Sequence, residues 1–445
     1  MNIFYNANII ACHLSRLGCS PLNANLRIID QKHEIYTPDY VFSVSYVKTT
    51  ILDLLSVELP KNYRTFLENQ KFKKHASDFN LFDANVHILI IVDAVGLDQF
   101  KTCFPVISKI HKALGGFTLS SVFPTVTSSV LTSIYTGKHP FEHGIIGHKV
   151  YFRELGAILN TLEYTASSGK DLLYKAGVDA KALMWAERLS DYFNDDVKFV
   201  ELAHSHIINT GLSRFLYENV TCYGYQTITD GFSKLIQIVE KFKDEKTVVS
   251  FYIGDFDHLG HVHGPHSWEY NFHASYFEEI FVKTLKMLKD LPNVALSFVS
   301  DHGGISLAKV IEFSKSELDK IKELTGVRVG RSGRILHFYL SNGDEEGFIE
   351  FTESKINGWG MLVSYKWLKK HHIIGKSLTG DRELKTRIGD YVLIASKNIS
   401  FRFDSKEKLE MLKPEMGGHG GLTREELLVP YFISPVSEVA RLLEV

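Results

Sequence analysis

The chain has 445 residues, 44% hydrophobic and 23% charged, with 50 Lys and Arg against 52 Asp and Glu for a net charge of −2. That length supplies core enough for two or three domains, and the balanced charge excludes a strongly basic nucleic-acid binder and an acidic solvating tail. The apolar run Ile88 to Val92, which no other exceeds, is far too short to span a bilayer.

Met1–Ala24 lacks the charge-then-apolar order of a secretory signal, so a cytoplasmic protein is expected. Cys12, Cys19, Cys103 and Cys222 form no Cys-x-x-Cys, which excludes a cysteine zinc knuckle. A Cys12–Cys19 pair fits on spacing, but this is no disulfide scaffold.

Residues 1–85 form an N-terminal extension of mixed pattern. The run from His87 to Asp93 is β-branched and apolar and closes on a carboxylate, as a strand buried on both faces would. Leu97–Leu114 has helical spacing, Phe117–Val122 reads as a strand and Ser128–Tyr135 as a helix. Ala182–Trp185 (strand), Ile228–Phe242 (helix), Val248–Ile253 (strand), Tyr270–Leu288 (helix) and Val294–Val299 (strand) continue the alternation. It predicts an α/β fold with a doubly wound, mostly parallel central sheet flanked by helices and ligands beyond the carboxyl ends of its strands. Residues 303–417 break the rhythm with their own strands, Ile335–Leu340, Tyr391–Ala395 and Ile399–Phe403. With 20 Lys and Arg against 16 Asp and Glu, this interval reads as a mildly basic inserted α+β cap. The core then comprises 86–302 and 418–445, with its last strand at Val429–Ile433.

Acidic and imidazole residues cluster at the strand ends. Asp93 closes the first strand, Asp257 and His261 follow the strand ending at Ile253, and Asp301 and His302 follow Val294–Val299. His419 sits among glycines before the last strand. Three Asp and three His are a mixed oxygen and nitrogen donor set, suited to zinc and acceptable to manganese or iron. Singly, each has a plainer reading: Asp93 as a helix cap, His419 as part of a glycine turn. The segment Phe123–Val130 is rich in hydroxyls and reads as a helix N-terminus, a place that favours anions. A Thr hydroxyl there can serve as nucleophile, and spacing does not choose between Thr125 and Thr127.

The ordered motifs resemble the alkaline phosphatase superfamily, in its type I phosphodiesterase/nucleotide pyrophosphatase branch. They are Ile90-Ile91-Val92-Asp93-Ala94-Val95-Gly96, Phe123-Pro124-Thr125-Val126-Thr127 and Glu142-His143-Gly144-Ile145. Asp257-x3-His261-x2-Gly264-Pro265, Ser300-Asp301-His302-Gly303-Gly304 and Gly418-His419-Gly420-Gly421 complete the set. The resemblance implies two divalent metal ions, most readily zinc. Asp93, Thr127, Asp301 and His302 would hold one, and Asp257, His261 and His419 the other. It implies Thr127 as nucleophile, with Thr125 a structural neighbour. Two Asn positions of that branch, three and twenty-one residues after the nucleophile, are Val130 and His148 here.

A two-metal hydrolase of phosphodiester or pyrophosphate bonds is therefore expected, acting on a small anionic phosphate ester such as a nucleotide and binding no nucleic acid stably. His148, Arg331 and Arg334 are candidate substrate contacts. A phosphomonoesterase, phosphonatase or sulfatase at the same site would call for one more cation, from Arg153, Arg328, Arg331 or Arg334. A metal-stabilised anion-binding module is the third reading, and it has no need of a nucleophile.

Overall fold

The computed structural model describes residues 23–166, 169–326, 329–341, 343–403 and 415–443, so Cys12, Cys19 and Arg328 lie outside the described residues. In chain order, α1 (Val47–Leu54) and α2 (Gln70–Asp78) lead to β1 (Val86–Val92). The helical stretch expected over Leu97–Leu114 is two helices, α3 (Leu97–Cys103) and α4 (Pro105–Ala113). Pro105 has no amide with which to continue α3 and instead opens α4. Then follow β2 (Phe117–Ser120), α5 (Thr127–Thr136) and the hairpin β3 (Lys149–Phe152) and β4 (Ala157–Asn160). The strand expected at Ala182–Trp185 is not formed. Ala180–Leu183 is a short 3-10 helix in which the Asp179 side chain accepts from the Lys181 amide, so local capping overrides a short apolar run.

Two strands absent from the sequence reading, β5 (Lys198–His204) and β6 (Thr221–Tyr225), precede α6 (Ile228–Phe242) and β7 (Thr247–Ile253). Next come α7 (Asp255–His263), α8 (Trp268–Leu288) and β8 (Val294–Ser300). The remaining strands of the two large sheets are β9 (Gly330–Ser332), β10 (Ile335–Phe338), β11 (Gly360–Ser364), β12 (Tyr391–Ala395) and β13 (Leu428–Pro435).

The large central sheet is mixed, with order β2-β13-β8-β1-β7-β5-β6. Neighbours from β8 to β6 pair in parallel, whereas β13 runs antiparallel to both β8 and β2. Val92 of β1 lies level with Ser300 of β8 and Ile253 of β7, so the three carboxyl ends align. Alternate residues of β1 enter different cores. Leu89 and Ile91 pack with Val47, Ile51 and Phe72, which places residues 44–84 on one face of the sheet. Ile88, Ile90 and Val92 pack with Phe100, Ile107 and Phe277 on the other.

A second sheet has order β11-β12-β10-β9-β3-β4. Residues 303–417 supply four of its strands and residues 149–160 the other two, joined where Arg331 pairs with Lys149. Ile399–Phe403 stands outside this sheet and pairs in parallel with Lys309–Phe313. Among the described residues no helix is long and apolar enough to cross a membrane.

Candidate metal centre

The site forms where the aligned strand ends meet. Asp93 directly follows β1, and Asp301 and His302 directly follow β8. Asp257 and His261 stand one turn apart on α7, which begins two residues after β7. The same helix carries other candidates outward: His258 is exposed, Asp255 meets His273 and His263 meets Glu269. His419 arrives at this edge because β13 is antiparallel, so the start of that strand lies beside the ends of the others. Its loop is fixed by pairing of Gly417–Gly418 with Ile305–Ser306.

The six side chains fall into two trios, Asp93 with Asp301 and His302, and Asp257 with His261 and His419. In the first, His302 Nε2 lies 3.4 Å from Asp93 Oδ1 and 3.4 Å from Asp301 Oδ2. In the second, Asp257 Oδ1 is 3.3 Å from His419 Nε2 and 3.4 Å from His261 Nε2. The trios adjoin through the stacked rings of His302 and His419, centroids 4.1 Å apart. The first trio is buried, and the second is partly open to solvent at Asp257 and His261.

These residues fit a pair of divalent cations. Asp93 Oδ1, Asp257 Oδ1 and Asp301 Oδ2 are buried without a hydrogen-bond partner, a state that costs free energy unless a cation faces them. Their separations from the imidazole nitrogens match the edge, about 3.3–3.4 Å, of a tetrahedron with donors about 2.0–2.1 Å from its centre. Each imidazole is also set for ligation. Nδ1 of His261, His302 and His419 faces the carbonyl of Gly417 (3.1 Å), Gly303 (3.1 Å) and Thr125 (2.8 Å), which turns every Nε2 into the site.

Local backbone explains the glycines. A Cβ on Gly303 would stand 2.0 Å from the carbonyl oxygen of Glu425, and one on Gly420, at φ +108°, would lie 2.5 Å from that of Ser332. Ala94 takes φ 59°, which aims its amide at Asp301 Oδ1, 3.1 Å away.

The electrostatics follow from burial and crowding. Burial, then the charges of Asp301 and Asp257, holds Asp93 well above the usual carboxylate range. Burial likewise raises Asp301 to about 6. Burial also pushes Asp257 upward, but the imidazoles of His261, His419 and His302 outweigh it and hold the carboxyl below its ordinary value. Burial and neighbouring His419 lower His302 to about 4, whereas Asp257 overcomes burial at His419 and raises it to about 9.

Thr127 is the first residue of α5, and its Oγ1 lies 3.4 Å from Asp93 Oδ2 and 3.3 Å from His302 Nε2. Thr125 turns away: its Oγ1 donates to Gly421 O and accepts from Gly420 N, both at 3.0 Å. His148 is partly buried near His419 and Arg331. Burial first, then the charge of Lys149, lowers it to about 4. Arg331 is half-buried, with Nε donating to Gly333 O at 2.9 Å and Nη2 3.5 Å from Glu415. Arg334 does not meet the expectation of a substrate contact. It is fully buried, and Nε and Nη2 grip Glu426 at 3.0 and 2.9 Å. Arg153 is exposed on the β3–β4 turn, and Val130 is buried in α5.

Sequence reasoning missed Tyr252, whose hydroxyl donates to Asp93 Oδ2. The signal was available, since a phenol in a strand buried on both faces requires a polar partner.

Known structures share this architecture. Murine ectonucleotide pyrophosphatase/phosphodiesterase 5 matches at 17% identity and TM-score 0.56, over 80% of this chain and 93% of that one. A threonine-to-alanine variant of that murine protein, described as inactive, is in complex with AMP and matches at TM-score 0.54 with the same identity and coverage. Phosphonoacetate hydrolase from Sinorhizobium meliloti, in complex with phosphonoformate, matches at 16% identity and TM-score 0.54, over 80% of this chain and 94% of that one. No curated protein matches the chain. Residues 87–422 match the family model described as type I phosphodiesterase / nucleotide pyrophosphatase, and the chain belongs to that family, within the alkaline phosphatase superfamily.

Proposed function

We propose that this protein hydrolyses phosphodiester or pyrophosphate bonds of small anionic substrates, nucleotides among them, with two divalent cations, most readily Zn2+, and Thr127 as nucleophile. The observation that carries this reading is the placement of the Thr127 hydroxyl against the buried trio of Asp93, Asp301 and His302, at the start of a helix. When bound, the cations supply positive charge that favours loss of the Thr127 proton and offsets the charge of the phosphoryl oxygens. Asp93, Asp301 and His302 would hold one, and Asp257, His261 and His419 the other.

In this mechanism Thr127 Oγ1 attacks phosphorus in line with the leaving oxygen and forms phospho-threonine as the bond to the leaving group breaks. Water then attacks from the opposite side and releases Thr127. The first amides of α5 have no partner within the helix and point toward the developing charge. His148 and Arg331, beside His419, contact the phosphoryl or leaving portion.

The test compares metal-loaded wild type, Thr127→Ala and Thr125→Ala on a bis-aryl phosphate diester. Thr127→Ala should lose at least about 100-fold in kcat while retaining both metals, and Thr125→Ala should remain faster than Thr127→Ala. The opposite order would move the role to Thr125. A second reading, phosphonate hydrolysis, is favoured by the phosphonoacetate hydrolase likeness and by His148 at a position where the branch carries Asn. Faster turnover of a phosphonate than of the diester would select it.

A further inference from the structure

We propose that Thr125, Arg334 and Glu426 form a positioning network for His419, through which a buried ion pair reaching into the 303–417 insert sets cation occupancy at Asp257, His261 and His419. The proposal rests on the two-cation reading above and extends it to residues that touch neither cation nor substrate.

His419 lies on no long element. It follows a two-residue strand and stands in a glycine loop, so its ring must be held from outside. Thr125 does this twice. Its carbonyl meets His419 Nδ1 at 2.8 Å, and its hydroxyl bridges Gly421 O and Gly420 N at 3.0 Å each. One residue therefore fixes both the imidazole and the loop that carries it.

Behind the loop lies Glu426, which accepts from Gly421 N (2.8 Å), Thr423 N (3.1 Å) and Thr423 Oγ1 (2.8 Å). Both of its oxygens also meet Arg334, whose own amide donates to His419 O at 2.9 Å. The other arm of the guanidinium, Nη1, donates to Ser396 O at 2.8 Å and to Ile399 O. Through Glu426, the Arg334 side chain thus links the His419 loop to the turn between β12 and Ile399–Phe403, while its own amide ties the start of β10 to that loop.

A buried ion pair is weak evidence for stability, because desolvation offsets much of the attraction. Here the planar fork supplies geometry: Nε and Nη2 hold Glu426, which in turn holds the His419 loop, while Nη1 holds the turn at Ser396 and Ile399, a link that an apolar side chain would not make. The plainer alternative is a pair that supports folding alone. The two differ in what they do to one metal and not the other.

The experiment measures zinc dissociation constants for both equivalents by chelator competition, with thermal unfolding of the chelated protein alongside. His419→Ala identifies the equivalent concerned. Thr125→Val keeps the shape and deletes the hydroxyl; it should weaken that equivalent about 10–100-fold and leave the other within about twofold. Thr125→Ser should restore binding, and Arg334→Lys should weaken the same equivalent even where the chelated protein unfolds earlier. Wild type holding two metals, with Thr125→Val unchanged in both, would overturn the network and leave the two-cation reading standing. Equal weakening of both equivalents together with a lower unfolding temperature would overturn it in favour of a purely structural pair. Wild type holding fewer than two metals would overturn both.

Discussion

Replacing Lys48 with Met tests how the helix that presents Thr127 is held in place. Lys48 Nζ donates to Glu201 Oε1 at 2.8 Å, and the hydroxyl of Tyr135 donates to Glu201 Oε2 at 2.5 Å. Lys48 belongs to α1, Glu201 to β5 and Tyr135 to α5, so one carboxylate joins three elements beneath the candidate metal centre. Lys48 and Glu201 are 1% and 2% exposed, which removes solvent as a substitute partner. Burial already raises Glu201 and lowers Lys48, each partly countered by the other's charge.

Met fills most of the volume of Lys but leaves Glu201 without its counter-charge, a loss of about 3–5 kcal/mol for a buried pair. Protonation sets a ceiling on that loss. From an ordinary value of 4.5, neutralising Glu201 costs about 3.4 kcal/mol at pH 7 and about 1.4 kcal/mol at pH 5.5, at about 1.36 kcal/mol per unit. Lys48→Met should therefore destabilise by about 3 kcal/mol at pH 7 and by no more than about 1.4 kcal/mol at pH 5.5. The sign follows from the raised carboxyl. In the variant the folded state binds the extra proton, so its stability falls as pH rises above 4.5 toward the new folded value. Urea unfolding of wild type and variant at both pH values measures this. Lys48→Met/Glu201→Gln should recover most of the loss at pH 7. A loss that is equal at both pH values, or no recovery in the double variant, would refute the argument.

Acid should destabilise the wild type through histidines buried in neutral form. Burial lowers His87 and His337 to about 4 and His139 and His143 to about 3, so the unfolded chain takes up protons that the folded one refuses. Stability should fall as pH drops from about 6.5 toward 4, by up to about 1.4 kcal/mol per pH unit for each histidine, and a flat urea midpoint across that window would count against it. Tyr252→Phe removes the donor to Asp93 Oδ2 and should weaken metal binding at the buried trio about 10-fold or more, measured by chelator competition. Arg331→Ala should slow a nucleotide diester more than a small aryl diester, most strongly at low salt; equal rates on both substrates would remove Arg331 from substrate selection.

The acidic and imidazole residues of the candidate metal centre could be read because most of them lie within a few residues of strong strand signals. Asp93 and Asp301 directly follow apolar β-branched runs, and a sheet aligns such ends whatever the loops do. His419 was harder, since its presence at that edge depends on β13 running antiparallel, a property of pairing that no local pattern carries. Spacing alone did not distinguish the Thr125 and Thr127 hydroxyls, although the family resemblance favoured Thr127; in the fold α5 begins at Thr127, with one hydroxyl against Asp93 and the other against the glycine loop.

Charge misled where its partner was remote. Arg334 stood in a basic cluster that suggested an anionic ligand, but its counter-charge is Glu426, 92 residues away. The 23–85 segment had no visible place because its anchor, Lys48, meets a carboxylate 153 residues distant. In both cases a long charged side chain is taken out of water by contacts that only the completed fold creates, and burial turns an apparent surface charge into part of the frame. Sequence therefore reveals this candidate site where a side chain sits beside its own strand. It conceals the frame wherever two charges neutralise each other across the chain.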